Sequence, residues 1–150
     1  MQKTITIVNK RARFDYEIIE TYTAGIVLTG TEIKSIRLGK AQIAESFCEF
    51  NNHELFAINT YIEEYAFGNQ FNHKSRSERK LLLNRRELKK LEKDVQVKGL
   101  TIIPLKLFTT EKGLAKLDIG LCRGKKNYDK RETLKERDTK KDLDRLKKSF

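Results

Sequence analysis

A small, mainly β fold, an antiparallel barrel with two or three short helices and a basic C-terminal tail, follows from three features of this 150-residue sequence. Apolar residues recur at period two through most of the first 122 positions, the period becomes helical in two places only, and strands never alternate regularly with helices. The first feature makes strands, the second limits the helices, and the third argues against a parallel sheet.

Taken in order, Tyr16 to Tyr22 is a strand candidate, Thr23-Ala24-Gly25 reads as its turn, and Ile26-Val27-Leu28 begins the return. Gly30 to Arg37 then has helical spacing, with Ile33 and Ile36 on one face, Lys34 and Arg37 on its flank, Thr31 as the expected cap and Gly39 as the stop. Ser46 to Phe50, an Asn51-Asn52 turn, and Glu54 to Ile62 read as a hairpin. Asn69 to Arg79 lacks an apolar period and is expected to be mobile or ordered by a partner. Asn84, three residues before Glu87, is an N-cap signal for a helix that turns Leu88, Leu91 and Val95 inward and ends at Gly99. Leu100 to Phe108 and Leu114 to Cys122 form a second hairpin, in which Pro104 marks an edge or a bulge. Among small barrels, the oligonucleotide-binding type fits this strand count and length.

The formal net charge of +11 divides into two parts. Residues 123–150 carry 12 Lys/Arg against 6 Asp/Glu, leaving 20 against 15 for residues 1–122. The expected division is therefore a folded body over 1–123 and a basic tail over 124–150, disordered when free because it has too few apolar residues to offset its ordering entropy. A chain basic in both parts reads as a nucleic-acid binder before a membrane-surface binder, since rows of Lys and Arg gain affinity by releasing counterions from phosphates. No apolar run approaches the roughly 18 residues of a spanning helix, and the N-terminus lacks a signal-peptide pattern, so a cytoplasmic protein is expected. Cys48 and Cys122 stand far apart with no metal-ligand spacing around them, which reads as two reduced, buried thiols and no metal or other cofactor.

Residues 74–93 form a second basic cluster, nine cations against three carboxylates around Leu81-Leu82-Leu83, and read as a phosphate-contacting rim. Tyr16, Tyr22, Tyr61 and Phe67 are candidate base-stacking aromatics, each of them equally suited to a core. His73 reads first as an ordinary surface residue, with stacking or phosphate contact as the alternative. The glycines of Gly120 to Lys126 are one residue too close for a phosphate loop, and Lys126 stands where a metal-binding hydroxyl is needed. No nucleophile–base constellation is present, so no catalytic residue is assigned and an enzyme is not expected.

Five collinear blocks then carry a resemblance: NKRARFDY from Asn9, AGIVLTGTEIKSIRLGKA from Ala24, RKLLLNRRELKKL from Arg79, GLTIIPLKLF from Gly99, and GLCRGKKNYDKRETLKERD from Gly120. Together they resemble the SsrA-binding protein family, also called small protein B. The resemblance implies an oligonucleotide-binding barrel that grips the tRNA-like part of transfer-messenger RNA, and a non-enzymatic, monomeric adaptor that delivers it to stalled ribosomes. It implies transfer-messenger RNA contact by Asn9, Lys10, Arg11, Arg13, Glu32, Lys34, Arg37 and Leu82, with Asn9 and Glu32 holding the surface in shape and Leu82 supporting it from beneath. It also implies a tail that becomes helical in the ribosome's decoding site and empty message channel, through Lys125, Lys126, Tyr128, Asp129, Lys130, Arg131, Lys135 and Arg137. Within that tail Leu143, Leu146 and Phe150 would form a narrow apolar stripe once helical. A general ribosome-associated or tRNA-binding module is the alternative from the same residues, and an RNA-modifying enzyme the third reading. Four positions depart from the family pattern: Phe14 where His is frequent, Thr23 where Glu is frequent, Lys74-Ser75 for Asp-Pro, and Thr139 for an aromatic.

Overall fold

The computed structural model describes residues 4–125. Within them the period-two segments become β1 (Thr6–Val8), β2 (Tyr16–Ile26), β3 (Ala41–Gln42), β4 (Phe47–Asn51), β5 (Glu54–Ile58), β6 (Tyr61–Ile62), β7 (Arg79–Leu82), β8 (Leu100–Thr109) and β9 (Ala115–Gly124). The helical segments are α1 (Ala12–Asp15), α2 (Gly30–Arg37) and α3 (Arg85–Asp94). One sheet runs in the order β1-β8-β4-β5-β7-β2-β9, and β8 pairs again with β9, so six strands close into an antiparallel ring with β1 added at β8. The expected barrel takes this form. β3 and β6 make a separate two-stranded pair.

β2 is one continuous strand of eleven residues, not the strand, turn and return that its sequence suggested. The small residues Thr23-Ala24-Gly25 mark a change of partner instead: β9 pairs with β2 as far as Gly25, and β7 takes over at Gly25 and Ile26. The β4–β5 turn is made by Asn52 and His53, both at positive φ (51° and 63°), the geometry that a two-residue hairpin requires. β8 slips register between Pro104 and Lys106, so the proline sits at a bulge as expected. Leu55, Leu81, Ile102, Leu107, Leu117 and Ile119 fill the ring.

β8 and β9 are buried on both faces over part of their length, which explains why Ile102-Ile103-Pro104 and Ile119 to Cys122 read as unbroken apolar runs. The outer face belongs to a small second cluster, Ala12, Ile103 and Cys122, flanked by Tyr16, Ile18 and Leu105 beneath α1. Cys48 and Cys122 are both buried and outside any disulfide, and desolvation raises both thiol pKa values, Cys122 to about 11.

α2 and α3 stand at opposite ends of the ring, because α2 leaves the C-terminal end of β2, α3 leaves that of β7, and those two strands are antiparallel. α3 begins as expected, with the Asn84 side chain accepting from the Glu87 amide at 2.8 Å, and turns Leu88, Leu91 and Val95 onto the core. α2 is capped by Thr29, two residues before the expected Thr31. Thr29 Oγ1 accepts from the Glu32 amide at 3.3 Å while Glu32 Oε1 accepts from the Thr29 amide at 2.8 Å, a reciprocal capping box. Gly39, at φ 75°, ends the helix as its sequence suggested.

Candidate nucleic-acid interface

Lys10 after β1, Arg13 on α1 and Leu82 on β7 gather on the outer face of β2. Alternation along β2 turns Tyr22, Ala24 and Ile26 inward and Thr21 and Thr23 outward. Leu82 is opposite Gly25 in the register and is 52% exposed, so it lies on this outer surface and not beneath it. A β7 residue one place later than the inward Leu81 must point outward. Beside it, a cleft of about 620 Å³ is lined by Lys10 and Arg13 on one side and by Thr21, Thr23, Lys106 and Asp118 on the other.

Asn9 anchors that cleft and is only 7% exposed. Its amide donates to Leu105 O at 2.9 Å and its Nδ2 to Pro104 O at 3.0 Å, gripping the β8 bulge. Pro104 has no N–H, and the bulge leaves local carbonyls without ladder partners, so a side-chain amide is the suitable clasp. Arg11, at the N-cap of α1, is held against that helix, 3.5 Å from Asp15 and with its guanidinium 5.1 Å from the Phe14 ring centre. Thr23 donates to Asp118 Oδ1 at 2.7 Å, and Lys106 lies 3.6 Å from Asp118 Oδ2. A carboxylate is therefore present beside position 23, supplied from the neighbouring strand.

The remaining candidates lie at the α2 end. Glu32 is 3% exposed, and its second oxygen accepts from Arg79 Nε. Arg79 is equally buried and donates further to Thr60 O (2.6 Å), Lys74 O (3.1 Å) and Ser75 O (3.2 Å). This pair is an internal lock joining α2, β7 and the chain before it. Arg79 thereby leaves the expected phosphate-contacting rim, and Glu32 acts on the surface only through the helix it fixes. Lys34 and Arg37 are exposed on α2: Lys34 Nζ stands 5.5 Å above the Tyr65 ring, and Arg37 Nη2 donates to Gly113 O at 3.2 Å in the β8–β9 turn.

His73 departs from its expected surface position and is 9% exposed. Nε2 lies 2.9 Å from Ile62 O and must donate to it, so in the neutral ring Nδ1 accepts from Thr31 Oγ1 at 2.8 Å. The segment before it forms a 3-10 turn at Asn69–Phe71, and the connection from Asn69 to Arg79 is tied to α2 at His73 and Arg79. Polar side chains do the anchoring, which is why no apolar period revealed it.

The four stacking candidates separate. Tyr22 is in the core, its hydroxyl pKa raised by desolvation and then by Glu20; Tyr16 flanks the second cluster; Tyr61 lies under Arg76 at 5.2 Å; Phe67 is in solvent. Lys125, the last described residue, is tied to the body: its amide donates to Asp15 O and its Nζ to Arg13 O, both at 2.9 Å. Gly124 still pairs with Tyr16. Contacts of the body thus continue two residues past the expected boundary. The tail candidates Lys126, Tyr128, Asp129, Lys130, Arg131, Lys135 and Arg137, and the stripe of Leu143, Leu146 and Phe150, lie outside the described residues.

Comparison with known proteins bears on the chain as a whole. Residues 6–149 match the family model described as SmpB protein. The SsrA-binding protein of Flavobacterium johnsoniae is 81% identical over 150 residues, covering 100% of this chain and 99% of the relative. That of Bacteroides thetaiotaomicron is 54% identical over 145 residues, covering 97% of each. A solved chain from "tmRNA-SmpB: a journey to the center of the bacterial ribosome" matches with a TM-score of 0.69 at 50% identity, over 81% of this chain and 85% of that one.

Proposed function

This chain belongs to the SmpB protein family, and from that premise we propose that it binds the tRNA-like part of transfer-messenger RNA and delivers it to stalled ribosomes for trans-translation. The observation that carries this reading is the end-to-end 81% identity with a protein named SsrA-binding protein. The chain works as a monomeric adaptor in the cytoplasm and performs no chemistry of its own.

The body holds transfer-messenger RNA by position and charge. Lys10, Arg13, Lys34 and Arg37 neutralise phosphates, Arg11 adds charge beside them, and Leu82 gives an apolar contact on the outer face. Asn9 and Glu32 act through what they hold in place, the β8 bulge and the N-terminus of α2. The tail beyond Lys125, which marks its junction with the body, engages the ribosome's decoding site and message channel, where Lys126, Lys130, Arg131, Lys135 and Arg137 meet rRNA phosphates and Tyr128 stacks. One fold thus serves two RNAs, one for each basic part of the sequence.

The test is a competition at matched salt between the tRNA-like domain of transfer-messenger RNA and ordinary tRNA. The expected result is retention of the tRNA-like domain against excess tRNA, and equal affinities would sink the assignment. Truncation after Lys125, which spares the contacts of β9 and α1, is expected to keep that affinity and abolish peptide tagging.

A further inference from the structure

Phe67 and Phe71 are 79% and 83% exposed, more than any other large apolar side chain among the described residues. Neither belongs to the core or to the contacts assigned above. Two phenyl rings this exposed within one turn offer apolar and π surface to a partner.

The segment that carries them is braced. Asn72 Oδ1 accepts from the Tyr65 amide at 3.0 Å and from the His73 amide at 3.2 Å, while Asn72 Nδ2 donates to Tyr65 O at 2.6 Å. The Gly68 amide donates to Tyr65 O at 2.9 Å, and a Cβ on Gly68 would come within 2.7 Å of Asn72 Nδ2 and 3.0 Å of Thr31 Cγ2. Only glycine lets the turn press this closely against its own asparagine and α2. His73 fastens the other side to Thr31. A turn with its backbone fixed and its phenyl rings in solvent has met part of the ordering cost of binding in advance.

The surroundings are cationic. Residues 34–40 and 61–76 carry five cations, Lys34, Arg37, Lys40, Lys74 and Arg76; Lys40 stands 4.0 Å from Glu63 and Arg76 3.8 Å from Glu45, which leaves Lys34, Arg37 and Lys74 outside these ion pairs. Lys34 lies over Tyr65, which packs edge-on against Phe67 with ring centres 5.6 Å apart and planes at 69°. Rings supply a stacking surface for any base, and ammonium or guanidinium groups beside them meet the phosphates on either side.

We propose that Phe67 and Phe71 form a stacking platform for unpaired bases of transfer-messenger RNA, continuous with the phosphate contacts of Lys34 and Arg37. This rests on the function proposed above and extends it from phosphate contact to base contact. The platform grips exposed bases without reading their sequence, because every base has a π face and no hydrogen-bonding group has been assigned to their edges.

The experiment compares the full-length protein with F67A/F71A, F67L/F71L and F67W/F71W by fluorescence anisotropy at matched salt. The probes are the labelled tRNA-like domain of transfer-messenger RNA and a single-stranded adenosine oligomer. The Ala and Leu pairs are expected to lose about tenfold or more in affinity for both RNAs, and the Trp pair to bind as the parent does, with salt slopes unchanged. Melting temperatures stay constant, since both rings already stand in solvent. Parental affinity in the Ala pair overturns the proposal and leaves the patch to ribosomal RNA or a protein. Parental affinity in the Leu pair overturns it too, as apolar area without stacking. A parent protein that prefers neither the tRNA-like domain nor tRNA sinks the functional assignment instead, and the adenosine oligomer still decides the platform.

Discussion

The two ends of the ring are closed by helices that share an apolar core contact and differ in what fastens them besides it. α3 is held by an apolar stripe, Leu88, Leu91 and Val95, and its nearby polar contacts, Glu20–Lys90 and His53–Glu92, lie at the surface. α2 also packs Ile33 and Ile36 on the core, but buried polar groups fasten it in addition: a capping box, the Glu32–Arg79 pair and the Thr31–His73 bond. Apolar packing tolerates small rotations at modest cost, whereas hydrogen bonds at fixed angles do not. The α3 end therefore contributes mainly stability, and the α2 end gives up some stability to hold Lys34, Arg37 and the aromatic turn in one arrangement.

The comparison breaks most readily at Glu32. Glu32→Ala leaves a buried guanidinium without its carboxylate, and urea denaturation is expected to show a loss of about 3–5 kcal/mol together with weaker RNA binding by the surviving folded protein. Leu91→Ala, at the other end, is expected to lose about 2–5 kcal/mol yet keep its affinity for the tRNA-like domain at temperatures where it is folded. If both variants lose affinity equally at matched stability, the two ends are not distinct.

His73→Ala is expected to cost about 1–3 kcal/mol, because it leaves Ile62 O and Thr31 without partners. Hydrogen exchange should quicken at Tyr65 and Phe71 and stay unchanged along α3. Smaller again is a pH effect from the seam under α1, which belongs to neither end. The folded Cys122 thiol keeps its proton up to about pH 11, while the unfolded thiol ionises near 9. The unfolded chain binds fewer protons in that window, so stability falls as pH rises through it. Cys122→Ala should make this slope shallower in thermal melts recorded from pH 8 to 11, with Cys48, whose thiol pKa burial also raises, supplying what remains. Lys34→Ala with Arg37→Ala is expected to change stability least, within about 0.5 kcal/mol. It should still weaken RNA binding and reduce the log–log salt slope by about 1 to 2.

How far these ends were legible depends on the range of the interactions. Asn84, Glu87, Leu88 and Leu91 announced α3 because cap and stripe are made within a few residues. At α2 the local signal was present but misassigned: Thr29-x-x-Glu32 was the capping box, and Thr31 was committed elsewhere, 42 residues away at His73. Asn69 to Arg79 looked unanchored because its fastenings are polar and join remote parts of the chain. Leu82 looked like a support and proved to be surface, since in an apolar triplet only the strand register decides which residue faces in.

By itself the sequence determined the division of charge, the positions of α2 and α3 with the cap of α3, both hairpins, the bulge at Pro104 and, through its collinear blocks, the family. Each has a cause within one element or in the order of elements. The tertiary structure alone decided ring closure through β8 and β9, the burial of Glu32 against Arg79, and the gathering of Lys10, Arg13, Thr23 and Leu82 on one face. Those depend on pairings between distant residues, Thr23 with Asp118 across 95 positions and Glu32 with Arg79 across 47. Periodicity carries no record of such pairings, because the free energy that selects them arises only when the chain has closed on itself.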